Sequence, residues 1–269
     1  MNRLPSLFVS HGAPTFAMRP AQAGRVLTTL GQCISKPRAI LVVSPHWMTS
    51  KPVVGMTERP TTIHDFAGFD PLLYEIEYPV LGHPELAQLT FNVLKQAGWS
   101  PSRNIVRGLD HGAWIPLMHM FPNGEVPTFQ VSLPEDLNAD DAWALGEALA
   151  PLSEEGVLIV GSGSTTHNLH ELHFNCDSEA MPYVVEFSRW LRRVIASGDV
   201  DRLRRTLELA PHAQRAHPTS EHFWPLLVAA GATGLALNAA IFEGGVTHGV
   251  LSMDTYLFGH SSRGKDSIA

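Results

Sequence analysis

The chain has 269 residues, 44% of them hydrophobic, enough to bury one large core or two small ones. Its formal net charge is -7 with no basic run, which argues against a nucleic-acid-binding surface. No apolar stretch reaches the ~18 residues of a membrane span, and no basic-then-apolar leader opens the chain, so the cytoplasm is the default expectation.

A strand is expected over residues 6–10, SLFVS, running into His11 and a Gly12-Ala13-Pro14 turn. Residues 20–30 read as a helix. The run AILVV at 39–43 is apolar and partly β-branched, the pattern of a strand buried on both faces. Pro45 interrupts ladder pairing, which places His46 just past the strand's carboxyl end. Residues 52–57 form another short strand. The aromatic-rich stretch 61–78 has no clean period and reads as a long binding loop or lid over a sheet edge. Pro84 opens and Gly98 closes a helix over 84–97, with Leu86, Leu89, Val93 and Leu94 at helical spacing.

After the GLDHG segment at 108–112, a helix is expected over 113–121, a strand over 126–133 and a helix over 139–152. Residues 156–161 are the next strand, followed by a small-residue loop to His167. Helices over 179–196 and 199–209 are rich in Arg and Glu and are expected at the surface. Thr219 or Ser220 would cap a helix whose first turn holds His222. The partly alternating stretch 246–258 reads as a sheet strand. No repeat or linker interrupts this order. The expectation is a single α/β domain over 1–269, with a mainly parallel or mixed central sheet flanked by helices.

His11, His46 and His167 each follow a predicted strand. Parallel strands of one sheet end on one edge, where α/β folds bind ligands, and His222 at a helix start faces the same edge. Converging neutral imidazoles with an open position suit one divalent metal ion, Fe(II), Zn(II) or Mn(II). The bland alternative for each is a hydrogen-bonded strand-end histidine. Fourteen histidines against 19 Lys+Arg agree with a histidine-rich site. Cys33 and Cys176 are far apart and neither lies in a CxxC pair, so reduced thiols are expected rather than a thiolate zinc site.

Seven segments carry a family resemblance: LFVSHGAP (7–14), ILVVSPHW (40–47), TIHDFAGF (62–69), LDHGAWIPL (109–117), VPTFQVSL (126–133), GSGSTTHNL (161–169) and HPTSEHFWPLL (217–227). Together the chain resembles the class III extradiol ring-cleavage dioxygenases, in the branch related to DOPA extradiol dioxygenases. The resemblance implies a metal held by His11, His46 and His222, with His167 either a fourth ligand or a base beside the metal. It also implies Zn(II) as the metal found and Fe(II) as the working one, because zinc has no accessible redox state. More distant members use a carboxylate as third ligand, so Glu221 stays open as the alternative to His222.

The implied reaction inserts O2 into a small catechol, DOPA- or protocatechuate-like, to give a semialdehyde. Catechol deprotonation and O–O cleavage need proton transfers, for which imidazole near its ordinary pKa of ~6.5 is suited. His111 and His167 are the candidate acid–base groups, with Asp110 orienting the surroundings of His111. Ser162 and Thr166 are expected to hydrogen-bond substrate oxygens. His64 reads as satisfied by Asp65, His119 as core or surface, and His170 and His173 as loop residues. His217 competes with His222 as a ligand, while His83, His212, His248 and His260 are expected to face solvent. Trp47, Trp114 and Trp224 read as core, although a catechol pocket uses at least one aromatic wall.

Two further readings fit the residues. One is a zinc-dependent hydrolase, against which the lack of HExxH and of strand-end aspartates speaks. The other is a non-catalytic metal- or partner-binding relative, against which four intact histidines speak. A homodimer is the class-level expectation.

Overall fold

In the computed structural model, which describes residues 3–175, 177–234 and 237–259, eight strands form one sheet. They are β1 (Ser6–Ser10), β2 (Ala39–Thr49), β3 (Val53–Gly55), β4 (Ser102–Asn104), β5 (Thr128–Pro134), β6 (Val157–Gly163), β7 (Ala239–Phe242) and β10 (Thr255–Phe258). A separate pair, β8 (Val246–Thr247) and β9 (Leu251–Ser252), completes the set. The sheet order is β4-β3-β5-β2-β6-β1-β10-β7. The centre, β5-β2-β6-β1, is parallel. β3 runs antiparallel to β5, β10 to β1, and β7 to β10, so the sheet is mixed. Every residue of β1, β5 and β6 is buried, which is why these segments read as continuous apolar or small-residue runs rather than alternating ones.

The register brings the carboxyl ends of three neighbouring strands level: Ser10 lies opposite Gly163, and Val43 opposite Gly161. Pro45 does not end β2. The ladder to β5 breaks after the Ser44–Ser132 pair and resumes at Met48–Leu133, so Pro45, His46 and Trp47 form a bulge. Pro45 needs no ladder partner there, and the strand continues to Thr49.

Helices cover both faces: α1 (Ala21–Cys33), α2 (Pro84–Gln96), α3 (His111–Met120), α4 (Ala139–Leu149), α5 (Pro182–Ser197), α6 (Val200–Arg204), α7 (Thr206–Leu209), α8 (Ala213–Ala216) and α9 (Trp224–Gly231). All of α9 is buried. A Cβ on Gly161 would collide with the Pro225 carbonyl, and one on Gly163 with the His222 carbonyl. These two strand glycines therefore let α9 and the turn before it lie directly on β6. That turn holds His222, which precedes α9 rather than occupying its first turn, and no side chain caps the helix. α5 is a surface helix but still buries Phe187, Trp190, Leu191 and Ile195.

The expected strand over 246–258 is broken into β8, β9 and β10. His248 and Gly249 adopt φ of 56° and 72° and reverse the chain between β8 and β9. No helix among the described residues is long and apolar enough to cross a membrane. Cys33 is exposed at the end of α1, and Cys176 and His260 lie outside the described residues.

Candidate metal centre

Three of the four strand-edge histidines meet. His11 follows β1, where its N–H donates to the Gly163 carbonyl of β6 at 3.0 Å. His46 sits on the β2 bulge, and His222 on the turn ahead of α9. Ring centres are 4.9 Å apart for His11 and His46, 5.4 Å for His11 and His222, and 5.2 Å for His46 and His222. One ring nitrogen from each lies within 4.8 Å of the other two. His11 Nε2 and His46 Nε2 are 3.1 Å apart.

The hydrogen bonds behind these rings set their tautomers. Pro116 lies inside α3 and has no N–H to donate to the Gly112 carbonyl. The Ser162 hydroxyl donates to that carbonyl instead. Its proton committed, Ser162 Oγ accepts from His11 Nδ1–H at 3.0 Å. His11 Nε2 then carries a lone pair aimed at the cluster. His222 Nδ1–H donates to Glu221 Oε1 at 3.0 Å, which leaves its buried Nε2 without any protein partner. His46 Nδ1 lies 3.6 Å from Asp65 Oδ2. A buried lone pair without a donor, beside two Nε2 atoms nearly in contact, fits a divalent cation and is costly otherwise.

Burial keeps these rings neutral. It depresses the pKa values of His11 and His222 well below 6.5, and neighbouring imidazoles add to the effect. Burial and then His111 lower His46 to about 3, against the opposing pull of Asp65. His167 is lowered to about 4 by burial and then by His217. Neutral imidazole is the form that binds metal, so the site needs no deprotonation at neutral pH.

His167 and His111 flank the cluster. The His167 ring lies 3.5 Å from the His222 ring and within 9° of parallel. His111 is the first residue of α3, and its ring centre is 3.9 Å from that of His46. Asp110 is fully buried at the N-cap of α3, accepting from Ala113 N–H and from Gln130 Nε2 at 2.8 Å. It thus fixes the helix start and, with it, the backbone of His111.

Asp65 is the residue that the sequence reading misplaced. Its Oδ1 accepts from the His111 backbone N–H at 2.9 Å and lies 3.0 Å from His111 Nδ1. His64, which the sequence pairs with Asp65, donates instead through Nε2 to the Ile76 carbonyl at 3.0 Å. The available signal was a carboxylate in an aromatic loop laid over the ligand edge. Burial pushes the Asp65 carboxyl up, but its hydrogen bonds and charge contacts with His111, helped by His46, prevail and draw it down to about 2. The same loop sets Phe66 edge-on to His111 at 5.7 Å, backed by Tyr74 at 5.2 Å and Phe69 at 5.6 Å.

Other candidates have structural roles. Ser162 is committed to His11 and Gly112. Thr166 Oγ1 donates to the Val250 carbonyl and accepts from Ser252 N–H, so neither hydroxyl is placed to bind substrate. His217 donates to the Thr165 carbonyl at 2.9 Å and lies outside the convergent groups. His248, expected in solvent, is buried between the His173 carbonyl and the Thr15 hydroxyl. His119 is half-buried against the Phe16 carbonyl. Trp47, Trp114 and Trp224 are buried, as expected.

Residues 7–257 match the family described as the catalytic LigB subunit of aromatic ring-opening dioxygenase. A 4,5-DOPA dioxygenase extradiol from Beta vulgaris is 38% identical over 257 residues, covering 94% of this chain and 96% of the relative. Another of that name from Escherichia coli strain K12 is 34% identical over 254 residues, covering 93% of each chain. The crystal structure of an uncharacterized protein from Escherichia coli K12 superposes with a TM-score of 0.78 at 30% identity, covering 96% of this chain and 100% of that one. On a match that runs from the first strand to the last, this chain belongs to the LigB family of aromatic ring-opening dioxygenases.

Proposed function

We propose that the chain is a metal-dependent extradiol dioxygenase that opens the ring of a small catechol, DOPA- or protocatechuate-like, to a semialdehyde. The observation that carries this reading is the convergence of His11, His46 and His222, two of them with tautomers set from behind so that Nε2 faces inward. These three would hold the ion. Bound there, divalent iron supplies the electron transfer that O2 needs to react with a catechol, whereas zinc fills the same donor set without redox chemistry.

His167 serves as a base rather than as a fourth ligand. His11, His46 and His222 would hold the ion, and the His167 ring, stacked 3.5 Å from that of His222, would stand beside them to take up a proton. Held neutral at pH 7, His167 can accept a phenolic proton. His111, on the other flank beside His46, is the second acid–base group. Phe66 provides an aromatic wall next to it, and the 61–78 loop limits which ring substituents enter.

Oxygen uptake by protein reconstituted anaerobically with Fe(II), against catechols including DOPA and protocatechuate, tests the reading. Uptake with the yellow semialdehyde chromophore supports it. Full Fe(II) occupancy without uptake on any catechol would shift the reading to a hydrolase or a binding relative.

A further inference from the structure

We infer that Asp65 is a positioning residue shared by the metal centre and the acid–base histidine: one carboxylate, delivered by the 61–78 loop, orients both His46 and His111. The inference rests on the metal-dependent reading above and concerns a residue outside the ligand set and the acid–base pair.

The supports behind the cluster are unequal. Ser162 stands behind His11, and Glu221 accepts from His222 while its carboxylate also lies within 4.8 Å of a His167 ring nitrogen. Asp65 serves the two rings of His46 and His111. Oδ1 accepts from the His111 backbone N–H at 2.9 Å and lies 3.0 Å from His111 Nδ1, while Oδ2 lies 3.6 Å from His46 Nδ1. An exposed loop carboxylate would ordinarily drift. This one is held, because the loop is stitched to the segment that carries His111. Ile63 N–H donates to the Leu109 carbonyl at 2.8 Å, and Leu109 N–H returns a bond to the Thr61 carbonyl at 2.8 Å. Trp114 Nε1 donates to the Ile63 carbonyl at 3.0 Å, and Tyr78 N–H to Thr62 Oγ1 at 2.9 Å. Residues on both sides of His111 therefore anchor the backbone two residues before Asp65.

The placement suits a carboxylate for two reasons. The His111 N–H is one of the orphan donors at the start of α3, and the helix N-terminus favours a negative charge. The carboxylate's charge 3.0 Å from Nδ1, although it forms no hydrogen bond to that nitrogen, also favours the tautomer protonated there, which leaves the His111 Nε2 lone pair for proton exchange. The same charge beside His46 Nδ1 favours the tautomer whose Nε2 faces His11, and raises the basicity of that nitrogen as a ligand.

The test compares parent, Asp65→Ala, Asp65→Asn, His111→Ala and the Asp65→Ala/His111→Ala pair. Zn(II) affinity is read by competition with a chromophoric chelator, and kcat and KM on the Fe(II)-loaded forms. Asp65→Ala is expected to weaken Zn(II) binding about 10- to 100-fold, while His111→Ala leaves it unchanged. The kcat of Asp65→Ala should fall to that of His111→Ala with KM little altered, and the double variant should fall no further. Asp65→Asn keeps the shape and an acceptor for the His111 N–H but loses the charge, so it should lose Zn(II) affinity in the same direction even if the alanine variant is unstable. Parental Zn(II) affinity in both Asp65 variants overturns the inference, as does a double variant whose loss is the product of the single losses. If the parent cleaves no catechol, the proposed reaction fails while the Zn(II) comparison still decides the role of Asp65.

Discussion

Ser162 accepts the Nδ1–H of His11 because its own proton is committed to the Gly112 carbonyl, which has lost its helical partner to Pro116. A helix-breaking residue in α3 is thereby linked, through one carbonyl and one hydroxyl on β6, to the tautomer of an imidazole at the end of the neighbouring strand β1. Ser162→Ala should lower Zn(II) affinity about tenfold, since the support of a ligand histidine is worth that much. It should also cost about 1–3 kcal/mol of stability, because the buried Gly112 carbonyl is left unsatisfied. Chelator competition and thermal melts check both, and unchanged affinity would refute the relay.

His11→Ala and His46→Ala should abolish metal binding while the fold persists, because each ring belongs to the cluster at the sheet's end and not to the apolar core. His111→Ala and His167→Ala should retain the metal and slow turnover by about 10²- to 10⁴-fold, the range of a lost acid–base group. Metal content per chain separates the two classes. A parental metal content in His46→Ala would show the ligand assignment to be wrong.

Acid should destabilise the metal-free protein through its histidines. His11, His46, His167 and His222 all have folded-state values below the ordinary 6.5, so the unfolded chain takes up protons first as pH falls. Their effect is absent above pH 6.5 and grows below it, down to about 4 for His167 and about 3 for His46. Asp65 acts in the same sense lower down, between its ordinary 3.8 and about 2. A melting temperature that declines steadily from pH 7 to pH 4.5 is expected for metal-free protein. A flat profile would mean that the rings are not held neutral.

Gly112→Ala should damage the centre without replacing any of the three histidines. A Cβ there would run into Ser44 Oγ, and would stand 3.0 Å from His46 Cδ2 and 3.2 Å from Asp110 Oδ1. Ser44 and Asp110 are both fully buried, so neither has room to give. Reduced Zn(II) affinity together with a lower melting temperature is the expected pair of results, and parental values for both would count against the packing argument.

The parallel centre of the sheet and its ligand edge were legible in the order of residues alone. Continuous apolar, partly β-branched runs such as AILVV and VLIV, bounded by turn residues, read as strands buried on both faces, and parallel strands in one sheet end together. Histidines placed after such runs announced a common edge, and His11 and His46 do meet there. Pairing partners were not legible. His46 reaches the cluster through a bulge whose existence depends on the register with β5, and His222 through the close approach that Gly161 and Gly163 allow α9. The true partner of Asp65 was hidden for the same reason. Local sequence offers its neighbour His64, whereas the tertiary fold brings in His111 from a separate helix. Hydrogen bonds between residues far apart in the chain, such as Ser162 to His11, leave no periodic trace. Only the packed structure decided which lone pairs face inward, because each ring's tautomer is set by the group behind it.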